Sequence, residues 1–315
     1  MKFFTTKTIL LTAALITALY MVLILIAPLL VPLPDTRKPV APIPTELNIE
    51  NQRVTFPSTQ PGVNLVAWWM PNESAKAVIV LVHGHGGQRT MEVFGGMQLA
   101  KQLLNAGYAV MSVDLRAHGE SDDAPGGKLA PEDLVLDVMG AVDWVKQKHS
   151  DLSVGVIGAS LGGATVVMAG VRDKRIEAVL AVAPALEPTE SIKSFLVSVM
   201  SVPEFVARHL AWSMLKVHGQ LGGADPLEIG AQLDGSKLFL IHNEADPINP
   251  VSGSRRLKEI LPQAQIWITP PALDNPIVLE RGPWGSHVRS YLLHPKQFAE
   301  KTIRFFDSRL VQPDK

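Results

Sequence analysis

The apolar positions of this chain fall into short continuous runs, separated by longer stretches in which apolar residues recur every three or four positions. Residues 77–82, Ala-Val-Ile-Val-Leu-Val, form one such run, with no polar alternation, as expected of a strand buried on both faces. The same pattern predicts strands at 108–113, 154–157, 176–182, 237–242 and 265–269. Residues 131–148 instead place Leu134, Val135, Val138, Ala141, Val142 and Val145 on one side of a helix that opens with Pro131, where the missing N–H is tolerated. Further helices are predicted over about 91–106, 252–261 and 295–309. Two short strands, 53–56 and 65–69, flank Pro61-Gly62 as a hairpin-like opening. Strands that alternate with helices imply an α/β fold: a mostly parallel sheet covered on both faces.

Two stretches depart from this alternation. Residues 186–234 form a strongly apolar insertion with Phe195, Leu196, Val199, Met200, Phe205, Val206, Leu210, Trp212, Met214 and Leu215. An insertion between two sheet strands hangs over the strand ends, where such sheets bind their ligands. Most of these side chains are expected to pack on the domain, and some to form a helical cap over a substrate pocket. At the N-terminus, residues 9–27 carry no charge, follow Lys2 and Lys7, and run into Pro28, Pro32 and Pro34. That length suits a bilayer-crossing helix and exceeds the ~7–15 apolar residues of a cleaved signal peptide. Residues 1–31 are therefore expected to be a transmembrane signal anchor, 32–50 a proline-rich spacer and 51–310 the globular domain. Lys2 and Lys7 favour a cytoplasmic N-terminus, with Arg37 and Lys38 reducing the asymmetry. This predicts a single-pass membrane protein whose globular domain is on the non-cytoplasmic side.

Composition removes several classes of function. A net charge of −1 over 315 residues, with no Lys/Arg block, leaves no footprint for a nucleic-acid backbone. The absence of cysteine excludes disulfides, thiolate metal sites and a cysteine nucleophile. His83-Gly84-His85 has no companion carboxylate and histidine set at metal-ligand spacing, and Gly84, Gly86 and Gly87 lack the lysine of a phosphate loop. No metal or cofactor is expected.

The chemistry centres on Gly158-Ala159-Ser160-Leu161-Gly162, which joins an apolar strand to a helical stretch. A serine held in such a sharp strand-to-helix turn is an exposed nucleophile, and the flanking glycines leave room where side chains would collide. An unassisted hydroxyl is a poor nucleophile, so a base is required. After Ser160 come His209, His218, His242, His287 and His294; His287 is preferred, because its glycine-containing loop follows the last strand and precedes the final helix. The acid is expected just past strand 237–242, with Asp246 preferred over Glu244 and Asp274 third. Backbone N–H groups of Leu161 and His85 are the expected donors to a developing oxyanion. The side chains of His83 and His85 are expected to organise their loop.

Over residues 50–310 the chain resembles the α/β-hydrolase superfamily, particularly its serine aminopeptidase-like and lysophospholipase-like branch. The resemblance rests on His83-Gly84-His85-Gly86-Gly87, residues 114–121 (Asp-Leu-Arg-Ala-His-Gly-Glu-Ser), the serine turn, residues 244–250 (Glu-Ala-Asp-Pro-Ile-Asn-Pro) and Gly285-Ser286-His287. It implies that the 114–121 loop is structural, so Asp114 and His118 are not catalytic. Asn243 stands where relatives commonly have glycine. The expected activity is hydrolysis of carboxylic esters, with lipophilic acyl substrates favoured, through an acyl-enzyme on Ser160. A peptidase acting on short peptides or an acyltransferase would use the same three residues. A catalytically silent, membrane-tethered binding module is the alternative of another class.

Overall fold

The computed structural model describes residues 6–30, 37–125, 131–217 and 225–311. The domain is built on one eight-stranded sheet: β1 (Gln52–Pro57), β2 (Asn64–Met70), β3 (Ala77–Val82), β4 (Tyr108–Asp114), β5 (Val154–Ala159), β6 (Ile176–Val182), β7 (Leu238–Asn243) and β8 (Gln265–Thr269). Their spatial order is β1-β2-β4-β3-β5-β6-β7-β8. Only β2 runs against its neighbours, antiparallel to both β1 and β4. Gly62, at a φ of 81°, makes the turn between β1 and β2.

Helices cover both faces. On one lie α3 (Pro131–Lys148), α4 (Leu161–Arg172) and α8 (Val251–Ile260), and on the other α2 (Gly96–Asn105) and α11 (Pro295–Leu310). The predicted stripe of α3 is buried, from Leu134 to Val145. On the other side α11 buries Phe298, Phe305 and Phe306 completely or nearly so, each contributing about 1.5–3 kcal/mol of burial. The predicted helix at 91–106 is shorter, because Met91 and Gly95 adopt positive φ values of 48° and 85° and turn the chain before α2 begins at Gly96.

The insertion between β6 and β7 holds α5 (Pro188–Ser198), α6 (Glu204–Val217) and α7 (Pro226–Gly230). The first two form a cap with its own small core, Leu196, Ala207 and Ala211, ringed by Ile192, Phe195, Val202, Leu210 and Met214. The third is different: Leu227 and Ile229 of α7, with Leu233 beyond it, belong to the main core. The cap proper is thus narrower than residues 186–234. His218 lies outside the described residues.

An N-terminal helix, α1 (Thr6–Leu30), precedes the domain and touches α6, with the Tyr20 hydroxyl 2.8 Å from His209 Nδ1. Among the described residues no helix is long and apolar enough to cross a membrane. The expected boundary between anchor and spacer, residues 31 and 32, lies outside the described residues. The later part of the spacer lies on the domain: Val40, Ile43, Leu47 and Ile49 pack on the core, and Arg37 donates to the Gly119 carbonyl at 2.8 Å.

Candidate active site

Strand register places the chemistry-bearing loops side by side. Val82 at the end of β3 pairs with Gly158, Ala159 pairs with Val182, and Asn243 at the end of β7 pairs with Thr269. The loops after β3, β5, β7 and β8 therefore leave the same edge of the sheet.

Ser160 sits between β5 and α4 at φ 56° and ψ −119°, a strained conformation for a residue with a side chain. Its N–H donates to the Val182 carbonyl at 2.9 Å. The glycines around it have no spare room. A Cβ on Gly158 would lie 2.1 Å from the Gly162 carbonyl oxygen, and one on Gly162 would lie 2.3 Å from that of His83. The turn holds the Ser160 hydroxyl toward the loop after β8, where His287 Nε2 is 3.0 Å from Oγ.

On its other side His287 Nδ1 donates to Asp246, at 2.9 Å to Oδ2 and 3.1 Å to Oδ1. A carboxylate only accepts, so Nδ1 carries the proton and Nε2 is left to accept from the serine hydroxyl. Asp246 is buried and its Oδ1 also accepts the N–H groups of Ile248 and Asn249, both at 2.9 Å. Burial works to raise the Asp246 carboxyl, but the His287 imidazole and then the His242 ring outweigh it, holding the group well below the usual carboxylate range. Such an array can withdraw the Ser160 proton while the carboxylate steadies the imidazolium that forms.

The other candidates lie elsewhere. Glu244 turns outward to Arg255, 2.5 Å away, and Asp274 is exposed. His209 belongs to the contact between α1 and α6, and His294 packs on Trp267 with ring centroids 5.8 Å apart.

The expected oxyanion donors, the N–H groups of Leu161 and His85, lie on α4 and on the loop after β3. Leu161 is the first residue of α4, so its N–H is one that a helix leaves without an intrahelical partner. Gly84 packs directly on Ser160, since a Cβ there would lie 3.0 Å from Ser160 Cβ, and His85 follows it. Neutral histidines brace this loop. His83 Nδ1 donates to the Gly84 carbonyl at 2.8 Å while Nε2 accepts from Leu115 N–H at 3.1 Å. His118 Nδ1 donates to the Arg116 carbonyl at 2.8 Å while Nε2 accepts from Gly86 N–H at 3.2 Å. Burial pushes His83 down to about 4; burial and then the neighbouring His83 push His118 down to about 3. Burial, followed by Lys38, lowers His85 as well. Asp114 accepts from the Arg89 guanidinium, and from the N–H groups of Arg89 at 2.7 Å and Glu120 at 3.0 Å. Arg116 pairs with buried Asp137 at 2.7 Å. These residues shape the loops beside the serine without touching it.

A family model described as Hydrolase_4, serine aminopeptidase S33, matches residues 73–230. The chain belongs to the serine aminopeptidase S33 family. Among curated relatives of this S33 member, the monoacylglycerol lipase of Mycolicibacterium smegmatis is 27% identical over 231 residues, covering 60% of this chain and 77% of that protein. The lysophosphatidylserine lipase ABHD12 of Macaca fascicularis is 27% identical over 201 residues, covering 61% of this chain but 47% of that protein. Two further relatives are matched over only 35% and 41% of their length. An esterase structure from Pyrococcus furiosus superposes with a TM-score of 0.67, covering 87% of this chain and 97% of that one; at 23% identity the likeness shows the α/β-hydrolase fold.

The structure also brings to this S33 site His242, one of the histidines weighed as the base, and two residues given no role from the sequence, Asn249 and Trp284. Asn249 Nδ2 lies 3.4 Å from Ser160 Oγ and donates to the Ala183 carbonyl at 2.7 Å. His242 stands behind the acid, its Nε2 3.6 Å from Asp246 Oδ2 and donating to the Asn249 carbonyl at 2.9 Å. Trp284 packs between His287 and Phe195 of α5, with ring centroids 6.3 and 5.5 Å away. Asn249 stands three residues beyond Asp246 in the quoted 244–250 motif, which is the one signal that pointed near it. Asn243 uses its buried amide to bind Thr269 Oγ1, the Pro270 carbonyl and the Ala245 N–H, tying the loop that carries Asp246 to β8.

Proposed function

We propose that this protein is a serine ester hydrolase acting on lipophilic acyl esters. The observation that carries the reading is the imidazole of His287, which spans 3.0 Å to Ser160 Oγ and 2.9 Å to Asp246 Oδ2. In the proposed reaction His287 takes the Ser160 proton as Oγ attacks the ester carbonyl. The N–H groups of Leu161 and His85 meet the negative oxygen, and His287 returns the proton to the departing alcohol. Water then attacks the acyl-enzyme with the same histidine as base, releasing the acid and restoring Ser160.

The ester preference over peptide cleavage is supported by the cap. Recognition of a peptide amino terminus calls for a free carboxylate, whereas Glu190 pairs with Lys193, Glu204 lies 3.7 Å from Lys193, and Glu187 lies 3.5 Å from Arg256. What α5 presents beside Trp284 is Phe195, an apolar wall suited to an acyl chain.

Attachment to a membrane through α1, with the catalytic domain on the non-cytoplasmic side, is part of the proposal. Its support is a helix 25 residues long whose Leu10, Leu11, Leu15, Ile16 and Leu19 are each about 60% exposed or more. Exposed apolar surface of this extent marks an interaction with lipid or protein. The neighbouring cap helix α6 exposes Phe205 and Trp212.

A fluorophosphonate probe should label the full-length protein and fail to label Ser160→Ala. Turnover of p-nitrophenyl esters of increasing chain length, measured beside aminoacyl-amides, should favour esters; amide cleavage without ester turnover would overturn the reading. Recovery of the full-length protein in the soluble fraction would remove the membrane attachment alone.

A further inference from the structure

Beyond the nucleophile, the loop after β8 carries two arginines with incomplete hydrogen bonding. Arg289 lies two residues past His287 and its side chain is only 10% exposed. Its Nη1 donates to the Val93 carbonyl at 3.0 Å and its Nη2 lies 3.4 Å from Glu280 Oε1. Its Nε is buried and has no partner among the described residues. Arg281 Nη1 is likewise buried and without a partner among the described residues. The guanidinium of Arg281 lies 5.8 Å from the centroid of Trp284, the ring that packs against His287.

A buried donor without an acceptor is costly, and a guanidinium presents its donors in a planar fork that matches a carboxylate or phosphate. Burial lowers the pKa of both arginines, and Arg281 is lowered further by the charge of Arg289; the carboxylate acting on both is Glu280. Glu280 is itself 63% exposed, so water screens much of its charge. Two partly desolvated cations thus have one well-solvated carboxylate between them, each keeping an enclosed donor without a partner among the described residues, and Arg281 stands against the tryptophan that packs on His287.

We propose that Arg281 and Arg289 form an anion subsite that holds the negatively charged head of an acyl ester, a phosphate or a carboxylate. The acyl chain then lies toward Phe195 of the cap, and Trp284 separates the head from the chain. This rests on the ester hydrolase reading and narrows it to substrates whose alcohol portion is anionic. Phosphate and carboxylate offer the same paired oxygens to a guanidinium, and the test separates them.

The experiment compares full-length protein on three esters of one acyl chain: 1-acylglycerol, 1-acylglycerol 3-phosphate and the acyl ester of glyceric acid. The wild type should favour one or both anionic esters. Arg281→Gln should lose about tenfold to a hundredfold in kcat/KM on the favoured ester, mainly through KM, and stay within about threefold on the neutral one. Arg281→Lys, which keeps the charge and loses the fork, should fall between. Inorganic phosphate should compete with the favoured ester in the wild type and not in Arg281→Gln. Arg281, less buried than Arg289, is the safer variant to fold; Arg289→Gln should show the same selectivity where its melting curve matches the wild type. Equal losses on all three esters, or a wild type that prefers the neutral ester, would overturn the subsite. Fluorophosphonate labelling and neutral-ester turnover report on the hydrolase itself, so their absence would instead remove the underlying reading and the subsite with it.

Discussion

The amide of Asn249 joins Ser160 to the neighbouring strand, with Nδ2 3.4 Å from Ser160 Oγ and 2.7 Å from the carbonyl oxygen of Ala183. Ala183 is held at φ 45°, and its N–H donates to the Ile241 carbonyl at 2.8 Å. Asn249 therefore fixes the floor under the hydroxyl while leaving the hydroxyl proton directed at His287. Asn249→Ala should lower kcat on the order of tenfold with little change in KM, because it removes a donor near the reacting oxygen and leaves the Ala183 carbonyl unpaired. Steady-state kinetics on a short ester provide the check, and an unchanged kcat would reduce Asn249 to a packing residue.

The acid assignment yields a paired prediction. Asp246 is buried against His287, whereas Glu244 pairs with Arg255 at the surface. Asp246→Asn removes the acceptor that fixes the imidazole tautomer and should lower kcat on the order of 10⁴-fold. Glu244→Gln should stay within about twofold, since exposed ion pairs contribute little. Fluorophosphonate labelling rates of both variants measure this without a natural substrate, and the reverse ranking would move the acid to Glu244.

The buried centre of the sheet was the most legible part of the sequence. Strands β3 and β6 begin and end where their apolar runs do, because a strand covered on both faces has no polar position to blur its ends; helix α3 and the edge strand β8 also keep their predicted bounds. The steric need for Gly158 and Gly162 was also readable, as the serine turn sets it locally. Where tertiary packing decides, local pattern failed. Met91 looks helical by composition, yet it takes a left-handed turn before α2. Leu227 and Ile229 read as part of the insertion, yet they complete the main core. Asn249 could not be assigned in advance, because its partners Ser160 and Ala183 approach it only when β5, β6 and β7 stand side by side.

The closeness of the serine turn predicts an asymmetry among glycine substitutions. Gly158→Ala puts a methyl group 2.1 Å from a carbonyl oxygen of the α4 backbone, which has no flexible end to move aside. Overpacking of a core typically costs about 1–3 kcal/mol, and a clash with backbone falls at or beyond the upper end. Gly62→Ala meets nothing within 4 Å and bears only the strain of its φ of +81°, about 1 kcal/mol. Thermal melting should therefore show a much larger fall for Gly158→Ala, with labelling at Ser160 lost alongside; similar melting points would mean the turn relaxes.

The histidines that brace the loop after β3 should make stability fall with acid. In the unfolded chain each ring takes up a proton near pH 6.5, while the folded protein holds His83 neutral to about 4 and His118 to about 3. Between those values the unfolded state binds more protons, so stability is full above pH 6.5 and declines as pH falls toward 4 and then 3. Each pH unit well inside that window removes about 1.4 kcal/mol per histidine. Asp246 adds its own loss lower down: its folded pKa is depressed, so its contribution is present above the usual carboxylate value and disappears as pH drops through the depressed one. Urea unfolding at pH 7, 6, 5 and 4 should show a steepening loss. His118→Gln can keep an acceptor for the Gly86 N–H and carries no titrating ring, so it should flatten the slope between pH 6 and 5 by about one proton's worth. An unchanged slope in that variant would place the proton uptake on another residue and leave His118 with a steric role only.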